Sequence, residues 1–130
     1  MGIDIVSVDD VDASIRRFGD RYLQRVFTAH ELETCAGTEG PSASRLAARF
    51  AAKEAVLKVL RPGDISPLWR EVEVWRHESG WCDIRLHGSA ADLAAQAGIG
   101  DLAVSVTHER NSAAAVVVAA AMDVPPGHRT

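Results

Sequence analysis

With 130 residues, the chain has the length of one ordinary domain and enough material for a core without disulfide or metal staples. Its 47% hydrophobic and 25% charged residues are the balance of a soluble globular protein, and its formal net charge of −4 is opposite to the basic balance of a nucleic-acid binder. The longest apolar run, Ala113 to Met122, falls well short of the roughly 20 residues a bilayer-spanning helix needs, so neither nucleic acid nor membrane is an expected partner.

Cys35 and Cys82 form neither a disulfide framework nor a metal-ligand spacing. They read as free thiols in a reducing compartment. The first residues lack a basic segment followed by an apolar run and a small-residue cleavage site, so a cytoplasmic location is expected. No repeat or low-complexity linker divides the chain. A single domain is expected over 1–122, with 123–130 as a disordered tail.

Gly2 to Val6 reads as a short apolar strand interrupted by Asp4. A helix is predicted from Asp9 to about Phe18. Arg16, Arg17, Arg21 and Arg25 then place four cations within ten residues. Thr28 followed by Glu31 is a capping box, with Phe27 and Leu32 at the positions of a hydrophobic staple. The longest helical signal runs from Pro41 to Leu60, with Ser42 as cap and Arg61-Pro62-Gly63 as stop. Leu46, Phe50, Leu57 and Leu60 form one stripe that wants a core. Ala47, Ala51, Glu54 and Lys58 form a neighbouring face, where small residues admit another backbone or a ligand.

Glu71 to Trp75 and Cys82 to His87 read as paired strands around Glu78-Ser79-Gly80, with Val72, Val74, Cys82, Ile84 and Leu86 inward. Ser89 is placed to cap a short helix ending at Gly98. Leu102 to His108 and Ala113 to Met122 read as strands joined by a turn at Glu109 to Ser112. Three or four helices and about five strands result. The links are mostly hairpins, so the class is α+β: a mostly antiparallel sheet packed around one long central helix.

Several residues could carry chemistry. Asp4 needs a partner if it is buried in its apolar strand; otherwise it points to water or caps Ser7. Glu54 and Lys58 lie one helical turn apart. Such pairs are commonly exposed and contribute only about 0.3–0.5 kcal/mol. Here the pair shares a face with alanines and has Lys53 beside it. His108 ends a strand, where a structural histidine is the ordinary reading. Ser105 and Thr107 fall on the opposite face of that strand. Trp69, Trp75 and Trp81 flank the central hairpin, and packing explains them more simply than a stacking surface does. No Gly-rich phosphate loop, HExxH or GxSxG is present.

Together these segments resemble one family, the small holo-acyl-carrier-protein synthases among the 4′-phosphopantetheinyl transferases. Gly2-Ile-Asp-Ile-Val6 is similar to the family's G-[IL]-D-[IL] strand. Arg25-Val-Phe-Thr-Ala-His-Glu-Leu32 is similar to R-x-[FL]-T-x-x-E-L. Arg49-Phe-Ala-Ala-Lys-Glu-Ala-Val-Leu-Lys58 is similar to R-[FW]-[AS]-A-K-E-A-x-x-K. Val104-Ser-Val-Thr-His-Glu109 is similar to V-S-[IL]-[ST]-H-[ET]. The motifs follow in family order from residue 2 to about 120.

The resemblance implies an enzyme that moves the 4′-phosphopantetheine arm of coenzyme A onto a serine of an apo acyl carrier protein, releasing adenosine 3′,5′-bisphosphate. It implies Asp4 and Glu54 as carboxylate ligands of Mg²⁺, with Mn²⁺ as the alternative ion, because Mg²⁺ is held by one or two carboxylates plus substrate phosphates. Glu54 becomes the candidate proton acceptor and Lys58 the cation at the transferred phosphate. His108, Thr107, Arg49 and Lys53 become contacts to coenzyme A. Arg16, Arg17, Arg21 and Arg25 become the docking cations for an acidic carrier. A homotrimer with active sites between subunits is also implied.

Two departures from the pattern matter. Asp4 follows Met1 by three residues, where the family usually has a longer lead. Asp10 stands where the family commonly has arginine, beside Asp9 and Asp12. An acidic start to the docking helix implies a different docking register, or a carrier from a polyketide or peptide assembly line rather than an ordinary fatty-acid one.

Overall fold

The structure, a computed structural model, describes residues 1–63 and 68–122. Strand β1 (Gly2–Ser7) leads into helices α1 (Val8–Phe18), α2 (Asp20–Val26) and α3 (Ala29–Thr34). A two-residue ladder, β2 (Ala36–Gly37) with β3 (Gly40–Pro41), precedes the long helix α4 (Ala43–Leu60). A 3-10 turn (Trp69–Glu71) opens the hairpin of β4 (Val72–Arg76) and β5 (Cys82–Leu86). Helix α5 (Gly88–Gln96) and the long hairpin of β6 (Ile99–Glu109) and β7 (Ser112–Ala121) complete the order. The expected tail at 123–130 lies outside the described residues.

The α+β class holds, with every paired strand antiparallel. The main sheet has the order β1-β7-β6; the β2-β3 and β4-β5 ladders are hydrogen-bonded separately, with β5 packed beside β6. Among the described residues there are five α-helices and seven strands, more than expected. The missed helix is α2, which starts after Gly19 at φ 56° without a side-chain cap. Its buried Leu23 and Val26 are three apart, a signal the run of arginines obscured. Ser89 does not cap α5. His87 holds that position, and the Glu71 carboxylate accepts from the Ser89 N–H at 3.0 Å instead.

Helix α4 starts where Ser42 Oγ accepts from the Arg45 N–H and ends at Arg61 in the left-handed region. Its packing extends the amphipathic reading: Leu46 and Leu60 are buried as expected, and the alanine face is buried as well. Ala47, Ala51, Ala52 and Ala55 are fully buried, whereas Phe50 and Leu57 are only partly so. The helix packs against β1, β7 and β6, and small side chains let those backbones come close. Val56, Val72, Val74 and Val117 close the core at about 1.5–3 kcal/mol of burial each.

The capping-box glutamate has a second role. Glu31 Oε1 accepts from the Thr28 N–H at 2.8 Å, and Oε2 accepts from the Val74 N–H at 2.7 Å. The Lys53 ammonium lies 2.7 Å from Glu31 Oε1, and both side chains are fully buried. Lys53 also donates to the carbonyls of Trp69 and Val72 at 2.7 and 2.6 Å. One ion pair thus ties α3, α4 and the start of β4 together. Burial pulls the lysine below its ordinary range, and Glu31 opposes that pull.

Removing one partner of such a pair strands a charge in the core. Lys53→Met is expected to lower unfolding free energy by about 3–5 kcal/mol in urea titration. A loss under about 1 kcal/mol would show that the pair is not the tie described.

Candidate active site

Strand β1 packs against α4, and its first residue, Gly2, meets the helix at Ala55. Gly2 makes the crossing close: a methyl group there would collide with the Ala55 carbonyl oxygen. The approach brings Asp4 to the C-terminal half of α4. Lys58 Nζ donates to Asp4 Oδ1 at 3.0 Å and to the Ile3 carbonyl at 2.8 Å. The Asp4 side chain is only 12% exposed, so it neither points to water nor caps Ser7. Ser7 instead caps α1, accepting from the Asp10 N–H.

Asp4 and Glu54 line one cavity of about 320 Å³, together with Ser7, Asp10, Ser14, Tyr22 and Phe50. Burial pushes the Glu54 carboxyl above its usual range, the Asp4 charge adds to that, and Lys58 opposes both. The Glu54–Lys58 spacing is therefore part of a three-residue cluster, not an isolated surface pair. Among the described residues no set of three or more His, Cys, Asp or Glu side chains converges on one metal position. Two oxygen donors on separate elements suit an ion that completes its shell with water and substrate phosphate.

A second cavity, of about 440 Å³, is lined by Arg45, Arg49, Arg76, Thr107 and His108, with no carboxylate among its lining residues. Arg49 is 5% exposed, and its Nε is buried without a hydrogen-bond partner. A buried guanidinium with an open donor at a cavity wall suits an anion. His108 and Thr107 are exposed. Arg45 lies one turn before Arg49, a spacing that could have flagged it. Arg76 closes the far side from β4, and only the tertiary fold reveals it. Lys53 does not join this set. Its three protons are committed to Glu31 and two carbonyls, which corrects the expected phosphate contact.

The four helix arginines also separate. Arg21 and Arg25 line an apolar cavity of about 560 Å³ with Phe18, Tyr22, Val26, Phe50 and Trp69. Arg16 pairs with Asp12 at 2.7 Å, and Arg17 lies over the Phe18 ring. The tryptophans are mostly packing residues. Trp69 meets Phe50, and Trp75 sits between the His30 ring and the Arg85 guanidinium. Trp81 stacks on His77 and stays 59% exposed.

The chain thus carries two chemistries that suit a phosphate-bearing substrate, a carboxylate pair where β1 meets α4 and, apart from it, a basic cavity. The profile of the 4′-phosphopantetheinyl transferase superfamily matches residues 1–117, and the chain belongs to that family. The holo-[acyl-carrier-protein] synthase of Moorella thermoacetica is 43% identical over 117 residues, covering 90% of each chain. That of Geobacter metallireducens is 42% identical over 90% of this chain and 93% of its own. Among solved structures, the Neisseria meningitidis holo-[acyl-carrier-protein] synthase superposes with a TM-score of 0.79 at 28% identity, over 92% of this chain and 95% of that one. The Helicobacter pylori enzyme in complex with coenzyme A superposes with a TM-score of 0.76 at 29% identity, over 92% of this chain and 98% of that one. Among the described residues no helix is long and apolar enough to cross a membrane.

The raised Glu54 carboxyl fixes the sign of a pH effect. A carboxyl with a raised folded value binds its proton more tightly when folded, so stability falls as pH rises from the ordinary Glu value of about 4.3 through that raised value. Thermal melts of cation-free protein are expected to show this step in wild type and not in Glu54→Gln. An identical pH profile in both would contradict the coupling.

Proposed function

We propose that the chain transfers the 4′-phosphopantetheine arm of coenzyme A to a serine hydroxyl of an apo acyl carrier protein, releasing adenosine 3′,5′-bisphosphate. The observation that carries this reading is the convergence of Asp4, Glu54 and Lys58. The curated relatives bear the name of that activity, and coenzyme A occupies the Helicobacter pylori structure.

In this reading the basic cavity takes the 3′-phosphoadenosine end of coenzyme A. Arg49 offers its open Nε to phosphate oxygen, with Thr107 and His108 alongside. Asp4 and Glu54 would hold Mg²⁺, or Mn²⁺ in its place, which when bound neutralises pyrophosphate charge. Lys58 is the cation placed to meet charge growing on the phosphate. Glu54 has the raised affinity for a proton that a group accepting one from serine needs. Arg21 and Arg25, rimming an apolar recess, suit an acidic amphipathic carrier helix. Two free thiols, Cys35 and Cys82, fit a reducing cytoplasm.

The two halves of the site share no lining residue within one chain. Strands β1 and β6 are separated by β7, about 10 Å from one to the other. The outer face of this sheet is apolar on β1 and β7 and open. Ile3 pairs with Val116, which pairs in turn with Ser105, and Ile5 pairs with Ala114, which pairs in turn with Thr107. Ile3, Ile5 and Val118 are 63%, 71% and 51% exposed. A face of this kind suits burial against further copies of the chain. A homotrimer would join the carboxylates of one copy to the basic cavity of the next.

Incubation with coenzyme A, Mg²⁺ and apo carrier protein is expected to add one phosphopantetheine to the carrier by intact mass. Asp4→Ala and Glu54→Ala should each cut turnover by roughly a hundredfold or more without unfolding the protein. Release of free phosphopantetheine without a carrier would instead mark a phosphohydrolase. Mixing Glu54→Ala chains with Arg49→Ala chains should restore part of the activity after subunit exchange. No recovery despite exchange would contradict a shared site.

A further inference from the structure

The carboxylate cavity and the arginine-rimmed cavity adjoin, because Tyr22 and Phe50 wall both. Together they form one recess whose charge changes sign along its length. Arg21 and Arg25 stand at one end. Asp10 stands at the other, beside Asp4, Ser14 and Glu54. Asp4 has Lys58 as its partner, and Asp12 has Arg16. Asp10 is exposed and enters no salt bridge among the described residues. Its backbone N–H is held by Ser7 Oγ at 3.4 Å, in the first turn of α1, so the carboxylate is carried on a fixed turn. Burial pushes the Tyr22 phenol up to about 12, so the wall between the two ends is neutral at working pH.

We propose that this recess selects a carrier segment of matching polarity: acidic residues over Arg21 and Arg25, and a neutral or basic residue next to the modified serine, facing Asp10. The inference rests on the transferase reading above and deepens it. A serine that reaches Glu54 carries its flanking residues into the cavity that Asp10 lines. An acidic neighbour would meet Asp10, Asp4 and Glu54 together, and like charges across an interface discriminate against a partner. A basic neighbour would meet the one carboxylate of the three that has no neutralising ion pair and no proposed metal. Asp10 is thus a specificity residue, outside the reacting set.

The test uses one apo carrier domain with the residue on each side of its serine set in turn to Asp, Asn and Lys. With wild-type enzyme, kcat/KM is expected to rank Lys above Asn above Asp at one of these positions. The Lys-to-Asp ratio should be roughly fivefold, carried mainly by KM and smaller at high salt. Asp10→Asn should flatten the ratio, and Asp10→Lys should invert it, with kcat on the Asn carrier unchanged. The same ratio in wild type and Asp10→Asn would overturn the proposal while leaving the transferase reading intact. No transfer to any carrier would overturn both.

Discussion

The close approach of Gly2 to the Ala55 carbonyl is the contact on which the site depends. Side-chain-free backbone at that point lets β1 lie directly on α4. Asp4 then reaches Glu54 and Lys58, although about fifty residues of chain separate them. The buried alanines of α4 serve the same end, since any larger residue would lift the sheet off the helix. Burial and then the Asp4 charge push the Glu54 carboxyl up, so holding it ionised beside Asp4 opposes folding. That cost is what a site for a cation and a phosphate would be expected to carry.

Charge is sorted by element. The Glu31–Lys53 pair is sealed in the core and fastens α3 and β4 to α4. One residue further along the same helix, Glu54 lines the open cavity it shares with Asp4. Two consecutive ionisable residues thus have opposite tasks, because successive helix positions differ by about 100° around the axis. Arg49 lies one turn before Lys53, yet it ends at the wall of the basic cavity with an open donor. The separation of that cavity from the carboxylates, and the exposed isoleucines of β1, are the observations on which the proposed shared site rests.

Much of this was legible in the sequence. The capping box at Thr28 and Glu31, the stop after Leu60 and both hairpins follow from local rules, and the structure agrees. The motif around Arg49 to Lys58 falls on α4, the longest helix, as its pattern predicted. What local rules could not supply was direction. Lys53 looked like a neighbour of Glu54 on paper and turned inward, because Glu31 waited on a helix 22 residues earlier. Arg76 and Tyr22 gave no local sign of lining a cavity. The helix α2 was hidden by its charge, and the cap of α5 by a glutamate eighteen residues away. Apart from α2 and Arg45, each miss is a tertiary partner that no short window contains.

The most direct test of the central contact is Gly2→Ala. Transfer to apo carrier protein would be measured at saturating coenzyme A and Mg²⁺, alongside circular dichroism and a thermal melt. A displaced β1 moves Asp4 away from Glu54 and Lys58, so the account predicts a folded protein whose turnover falls by about a hundredfold. A folded Gly2→Ala protein with wild-type turnover would contradict it.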